Sequence, residues 1–367
     1  MNYKQYRARA HFAELDGLRA LAILGVLFAH MPGEVWRHFA GYLGVDAFFV
    51  ISGFLITTLA LREEETRGRL DVRAFFIRRS FRLFPAYYLT LGLYAILLLV
   101  LGFTPERREH FVTWLPAYLF YFQEVPFFTL PSTSYPFFHS WSLGIEEKFY
   151  VVWPFLAFVL LRGRAYARPW VALAGALLCS AATAIHPAGE FVFPYGAILA
   201  GCLVALLLQE QRSFERVRVL SRPAVVGGLA LAWLAIHIAV AAGFSAVRPS
   251  YALVVAVFLA GVVTTEGRIR DALSVKPLTK VGTLSYGVYL LHLLVRNVVE
   301  KVIPPQQDGA AAQLATFVLT VALSLAAAEV MMRLVERPMR DYGRRLSARV
   351  QRREAPAVQV PASLAVS

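Results

Sequence analysis

The chain holds 367 residues, of which 58% are hydrophobic and 17% charged, against about 45–50% and about 25% in ordinary soluble domains. Apolar runs of about 20 residues recur from one end to the other, which excludes a soluble globule, a disordered chain and a disulfide scaffold. The net charge of +13 would point to nucleic acid in a soluble protein; in a membrane protein, basic residues collect on the cytoplasmic side instead.

In chain order, apolar segments fall at 17–31, 40–61, 81–102, 139–161, 169–186, 191–209, 223–243, 250–265, 281–302 and 312–334. With the N-terminus in the cytoplasm, 30 of the 37 Lys and Arg lie on the inner side, counting Arg19 at the inner end of the first segment. This bias predicts an all-α polytopic membrane protein of about ten transmembrane helices with both termini cytoplasmic, and removes nucleic acid as a partner. Several segments are shorter than the about 20 residues of an upright span, as expected of local thinning or burial in the bundle. Leu21–Phe28 could be the apolar part of a cleaved leader, but Glu14 and Asp16 interrupt its basic flank and nine further spans follow. The outer segment 103–138 contains Phe111–Phe122, too short to cross and bounded by Pro116, Pro126, Pro131 and Pro136; it reads as a re-entrant or interfacial element. Residues 1–345 form one membrane domain by this reading, and 346–367 a disordered cytoplasmic tail. Cys179 and Cys202 both lie in apolar runs, which argues against a disulfide.

Ionisable residues inside spans are costly and by default face a cavity. Arg19 and His30 are 11 residues apart, which puts them on one helix face about 16 Å apart along the axis; an interfacial anchor and a headgroup contact are the plain alternatives. His139, Ser142, Glu146 and Tyr150 follow at i, i+3, i+7 and i+11, one polar stripe on an otherwise apolar helix. Lys148 is poorly placed to neutralise Glu146, because residues two apart on a helix do not face each other. Ser285, Tyr289, His292 and Arg296 repeat the pattern in the ninth span. Asp46 sits among Gly41, Gly44 and Gly53, where small residues let helices approach closely; packing does not account for the carboxylate. Glu329, Arg333 and Glu336 share a face of the last span, and mutual ion pairing could explain them. Arg78, Arg79 and Arg82 stand at the cytoplasmic mouth of the third span, as membrane anchors or as a grip on phosphates, for which the guanidinium fork is suited. No Walker loop, dinucleotide glycine fingerprint, HExxH or CxxC is present, so neither metal nor bound cofactor is expected.

Taken together, five pieces of this sequence resemble the membrane-bound acyltransferase-3 family, whose members O-acylate sugars, glycans, lipids or antibiotics. They are Leu15-Asp16-Gly17-Leu18-Arg19-Ala20 with His30; Gly44-Val45-Asp46 running to Ser52-Gly53-Phe54; Arg79-Ser80-Phe81-Arg82 with Pro85 and Tyr87; His139-Ser140-Trp141-Ser142 with Glu146 and Tyr150; and Ser285-Tyr286 with Tyr289 and His292. The match runs from about residue 13 to 340, in the family's order.

The resemblance implies acyl-CoA as donor, with acetyl-CoA the expected form, and a hydroxyl acceptor on a glycan, a glycolipid or a small molecule at the outer side, with membrane lipids around the bundle. It implies His30 as catalytic base, Arg19, Arg79 and Arg82 as donor-binding residues, and His139, Trp141, Ser142, Tyr150, Ser285, Tyr289 and His292 as chamber lining. Acyl transfer needs a base for the hydroxyl proton and a stabiliser for the oxyanion; Asp46 or Glu146 could orient the imidazole, as an acid does in hydrolytic triads. Some relatives carry an outer transferase domain after the last helix; here the membrane domain is expected to complete the transfer. A transporter using the same charges as a relay is the rival reading, although no inverted repeat is visible.

Overall fold

A computed structural model describes residues 1–32, 36, 38–100, 105–129, 136–185, 187–303 and 309–354. Among them the secondary structure is helical, with no strand. The helices are α1 (Tyr3–Ala8), α2 (Ala13–Ala29), α3 (Leu43–Arg67), α4 (Val72–Ala95), α5 (Pro105–Leu119), α6 (Glu124–Thr129), α7 (Trp141–Pro154), α8 (Arg168–Ile185), α9 (Phe193–Gln209), α10 (Gln211–Val217), α11 (Pro223–Ala241), α12 (Arg248–Thr264), α13 (Arg268–Leu273), α14 (Lys276–Val302), α15 (Ala310–Met331) and α16 (Arg337–Glu354).

Local chemistry sets the breaks. Gly68 stops α3 in a left-handed cap at φ 72°, a conformation that costs glycine nothing. Three residues later the Asp71 carboxylate accepts the Ala74 amide at 2.9 Å and starts α4. Proline opens α9, α11, α12 and α14, where its missing N–H has no intrahelical partner to lose.

The bundle is a multi-pass membrane protein. Six helical stretches are long and apolar enough to cross, and α9 with the segment after it, bent by 114°, makes a seventh. The other expected crossings exist as shorter helices: α2 and α12 have 17 residues each, and α7 has 14 continued by the turn Phe155–Leu160. Seventeen residues rise about 26 Å, less than the about 30 Å hydrocarbon core. Helices α3, α9 and α12 are buried along most of their length. By contrast α8 and α11 expose Leu177, Leu178, Leu231, Leu234 and Ile238, the surface expected toward lipid tails.

The tightest pairing is α3 against α9, followed by α14 against α2 and α15. A side chain on Gly53 would collide with the Ile198 carbonyl of α9, and one on Gly201 with the Val50 carbonyl of α3. Near the end of α3, Arg168 at the start of α8 grips Glu64 with two hydrogen bonds, at 2.6 and 2.8 Å.

Two sequence expectations change. Residues 346–354 are not disordered: they complete α16, a basic amphipathic helix packed along α4, and 355–367 lie outside the described residues. Glu329 and Glu336 also part company. Glu329 pairs with Lys280 of α14 and with Arg333 at 2.6 Å, whereas Glu336 is buried elsewhere. Met332–Glu336 is a wide i→i+5 turn, which shifts the phase of everything after it relative to a regular helix. Within 103–138, α5 and α6 are helical, and 103, 104 and 130–135 lie outside the described residues.

Candidate active site

Three imidazoles meet at one end of the bundle. His30 is the residue that ends α2, and His292 projects from α14. His139 is delivered by a single tight turn, Phe138–Ser140, ahead of α7, entered through Phe137 at φ 64°. The His30 and His292 rings lie 4.8 Å apart and those of His139 and His292 5.2 Å apart.

Each ring spends one nitrogen on a backbone carbonyl. His30 Nδ1 donates to the Val26 carbonyl at 2.8 Å, His292 Nδ1 to that of Tyr289 at 2.7 Å, and His139 Nε2 to that of Leu290 at 3.3 Å. A carbonyl oxygen only accepts, so these nitrogens carry the hydrogen and the other nitrogen of each neutral ring keeps its lone pair. His139 Nδ1 and His292 Nε2 are buried without a hydrogen-bond partner among the described residues. His30 alone of the three is partly exposed. It lines a cavity of about 560 Å³ shared with Tyr94, Phe137, Phe138 and Arg296. Arg296 donates to the His30 carbonyl and fixes the end of α2 against α14.

From the histidines a hydroxyl chain leads inward. Tyr289 donates to the His139 carbonyl and shares a hydrogen bond of 2.7 Å with Ser142. Farther along α7, Tyr150 is hydrogen-bonded to Ser52 of α3, and the Arg79 guanidinium lies 3.5 Å above its ring. Glu146 is within reach of Ser52 and Tyr150, beside the charges of Arg79 and Arg19. At this opposite end Arg19, Arg79, Arg82 and Arg340 act on one another's charge around Tyr150, with buried Glu336 beside Arg19, Arg82 and Arg340. Four guanidiniums form an arginine cup that also holds four carboxylates, Asp16 (3.7 Å from Arg19), Glu146, Glu147 and Glu336; the guanidinium fork suits a phosphate-bearing anion.

The sequence-predicted residues thus divide. His30, His139, Ser142, Tyr289 and His292 come together at one end, and Arg19, Arg79, Arg82, Glu146 and Tyr150 at the other. Ser285 is buried, its hydroxyl without a partner among the described residues. Trp141 turns into an aromatic cluster, stacked on Phe127 at 4.7 Å. The carboxylate expected to orient His30 is absent from its Nδ1, where the Val26 carbonyl stands instead. Asp46 is buried beside Arg248, at 3.7 Å, and Arg248 also holds Glu190.

Sequence reading missed Arg340 and the bond that Ser52 makes. Arg340 is one of eight basic residues from Arg333 onward, and nothing in the linear order says which of them faces inward. Ser52 stands directly before Gly53, and such a small pair reads as helix packing alone.

Residues 12–329 match the acyltransferase domain of the acyltransferase-3 family. The chain belongs to that family. Among curated relatives, it is 30% identical over 365 residues to the peptidoglycan O-acetyltransferase OatA of Listeria monocytogenes, covering 92% of this chain and 57% of that protein. It is 30% identical over 374 residues to a putative peptidoglycan O-acetyltransferase, YrhL, of Bacillus subtilis, covering 95% and 58%. A putative O-acetyltransferase of Staphylococcus aureus is 36% identical over 164 residues, covering 43% and 27%. The chain therefore spans a little over half the length of the first two relatives. No solved structure matches.

Proposed function

We propose that this chain is an integral-membrane O-acetyltransferase that moves an acetyl group from acyl-CoA to a glycan hydroxyl at the outer face of the cytoplasmic membrane. In this reading the bundle crosses ten times with both termini inside, which puts the arginine end in the cytoplasm and the histidine end outside. The donor's phosphates dock among Arg19, Arg79 and Arg82, and its acyl arm reaches inward along the hydroxyl chain. His30 Nε2 takes the acceptor's hydroxyl proton, the oxygen attacks the thioester carbonyl, the C–S bond breaks, and the departing thiolate is protonated.

The observation that carries the reading is the His30 ring. Its Nδ1–H is fixed on the Val26 carbonyl, so its free lone pair stands at the edge of an open cavity, the arrangement a general base requires. The names of the relatives favour a glycan acceptor and acetyl as the group.

The test is acetyl-ester formation by the purified protein in proteoliposomes. His30→Ala is expected to lower turnover about 10²–10⁴-fold while leaving the protein inserted and folded. His30→Gln keeps a hydrogen-bonding side chain but cannot take up a proton, and is expected to be as slow. Near wild-type rates in the Gln variant would remove the base role from His30 and leave His139, Glu146 and His292 as proton acceptors to be tried.

A further inference from the structure

The wide turn at Met332–Glu336 decides which side chains the last helix turns inward. The buried residues of α15 are Thr316, Thr320, Ser324, Ala328 and Met331, and a regular helix would continue that stripe through Val335, Met339 and Tyr342. The turn inserts one residue, and the inward face carries Glu336, Arg340, Gly343 and Ser347 instead. Glu336, Gly343 and Ser347 are buried, whereas Met339 and Tyr342 are exposed. This face is held against α4 and α3. Phe81 of α4 stands where a side chain on Gly343 would lie, and Gln351 donates to Glu63 of α3 at 2.9 Å. Arg340 thus comes to the arginine cup from an element of its own, since α2 supplies Arg19 and α4 supplies Arg79 and Arg82. Among the described residues of α16, Arg337, Arg344, Arg345, Arg349 and Arg352 are exposed, as expected of anchors at a membrane surface. Arg340 is half-buried, and its Nε, like that of Arg79, is buried without a hydrogen-bond partner among the described residues.

We propose that Arg340 is a further donor-binding residue, which grips the phosphorylated end of acyl-CoA from α16 and makes the last helix one wall of the donor site. The proposal rests on the reading of the arginine end as the donor side, and it adds a residue that lies beyond the stretch 12–329 matched to the family's domain. The carboxylates of the cup supply the physical need. Without Arg340, three guanidiniums would face Asp16, Glu146, Glu147 and Glu336, and a surplus of negative charge repels phosphate. Arg340 as a mere counter-ion of Glu336 would be redundant, because Arg19 and Arg82 stand beside the same carboxylate. A phosphate takes several charge-assisted bonds at once, and guanidiniums carried on α2, α4 and α16 can supply them from three elements.

The test compares the binding of CoA with that of pantetheine, which has the same thiol arm without the phosphorylated nucleotide. Affinities are measured by calorimetry on the full chain in phosphatidylcholine nanodiscs. The wild type is expected to bind CoA more tightly. Arg340→Gln is expected to weaken CoA about ten- to a hundred-fold, the loss of one charge-assisted bond, and to leave pantetheine unchanged. Arg340→Lys should recover part of the loss, since it restores the charge without the fork. Arg345→Gln, an exposed position on the same helix, is expected to keep the wild-type affinity. Unchanged CoA binding in Arg340→Gln would overturn the proposal. So would equal weakening of both ligands, which would make Arg340 a packing residue, or the same loss in Arg345→Gln, which would assign the effect to the net charge of the helix. A wild type that binds the two ligands equally would remove the donor from the cup, and this inference with it. A CoA preference that depends on Arg340 in a protein without acetyl transfer would sink the proposed function and leave this inference standing.

Discussion

At the scale of single residues, spacing in the sequence brought out the polar side chains inside the bundle but not their partners. The i, i+3, i+7 stripe of α7 and its counterpart on α14 could be read because helical periodicity is local. Who holds whom could not, because the decisive partners are distant in sequence or belong to the backbone. His30 is oriented by a main-chain carbonyl, for which no residue type is diagnostic. Asp46 meets Arg248, 202 positions away. The stacking of Arg79 on Tyr150 also carries a prediction. Arg79→Ala is expected to raise KM for acetyl-CoA roughly ten- to a hundred-fold, given about 1.5–3 kcal/mol for a charge-assisted hydrogen bond. Arg79→Lys should recover only part of this, since an ammonium neither stacks nor forks. Donor kinetics in proteoliposomes decide it, and an unchanged KM in the Ala variant returns Arg79 to a membrane-anchoring role.

Among the elements, the long apolar helices were legible and the interruptions were not. The wide turn at Met332–Glu336 separates two carboxylates that a regular helix would align, and an extra residue in a turn leaves no mark on composition. The continuation of α16 to Glu354 is hidden in the sequence for a related reason: small residues, Gly343 against Phe81 and buried Ser347, face inward along α4, while its exposed arginines make the segment look like a solvated tail. The contact between α3 and α9 was expected from Ser52-Gly53, although not the identity of the partner. It predicts that Gly53→Ala costs about 1–3 kcal/mol, the usual penalty for overpacking, because the new methyl meets the Ile198 carbonyl. Thermal unfolding in detergent measures this, with Gly92→Ala as a control, since nothing lies within 4 Å of a methyl there. Equal melting temperatures for the two variants would contradict the close approach of α3 and α9.

For the molecule as a whole, the membrane class followed from composition, and the proposed sidedness rests on where the basic residues fall. A cysteine in place of the exposed Thr66, with Cys179 replaced by serine, is expected to resist impermeant maleimide in intact cells and to react after permeabilisation. Labelling in intact cells would invert the orientation and exchange the two ends of the site. The chain of buried hydroxyls between those ends has a further consequence for the cell that carries it. A membrane holding about 100 mV drives each leaking charge with about 2.3 kcal/mol, so a water-filled passage between the arginine cup and the histidines would drain the proton gradient. Tyr289 and Tyr150 are buried and bonded to Ser142 and Ser52, and in the proposed reading these two rings close the way between the ends to water. Proteoliposomes of the wild type are accordingly expected to hold a pH gradient, and those of Tyr289→Ala to lose it faster; the same two aromatic rings would then insulate the membrane electrically while the enzyme works across it.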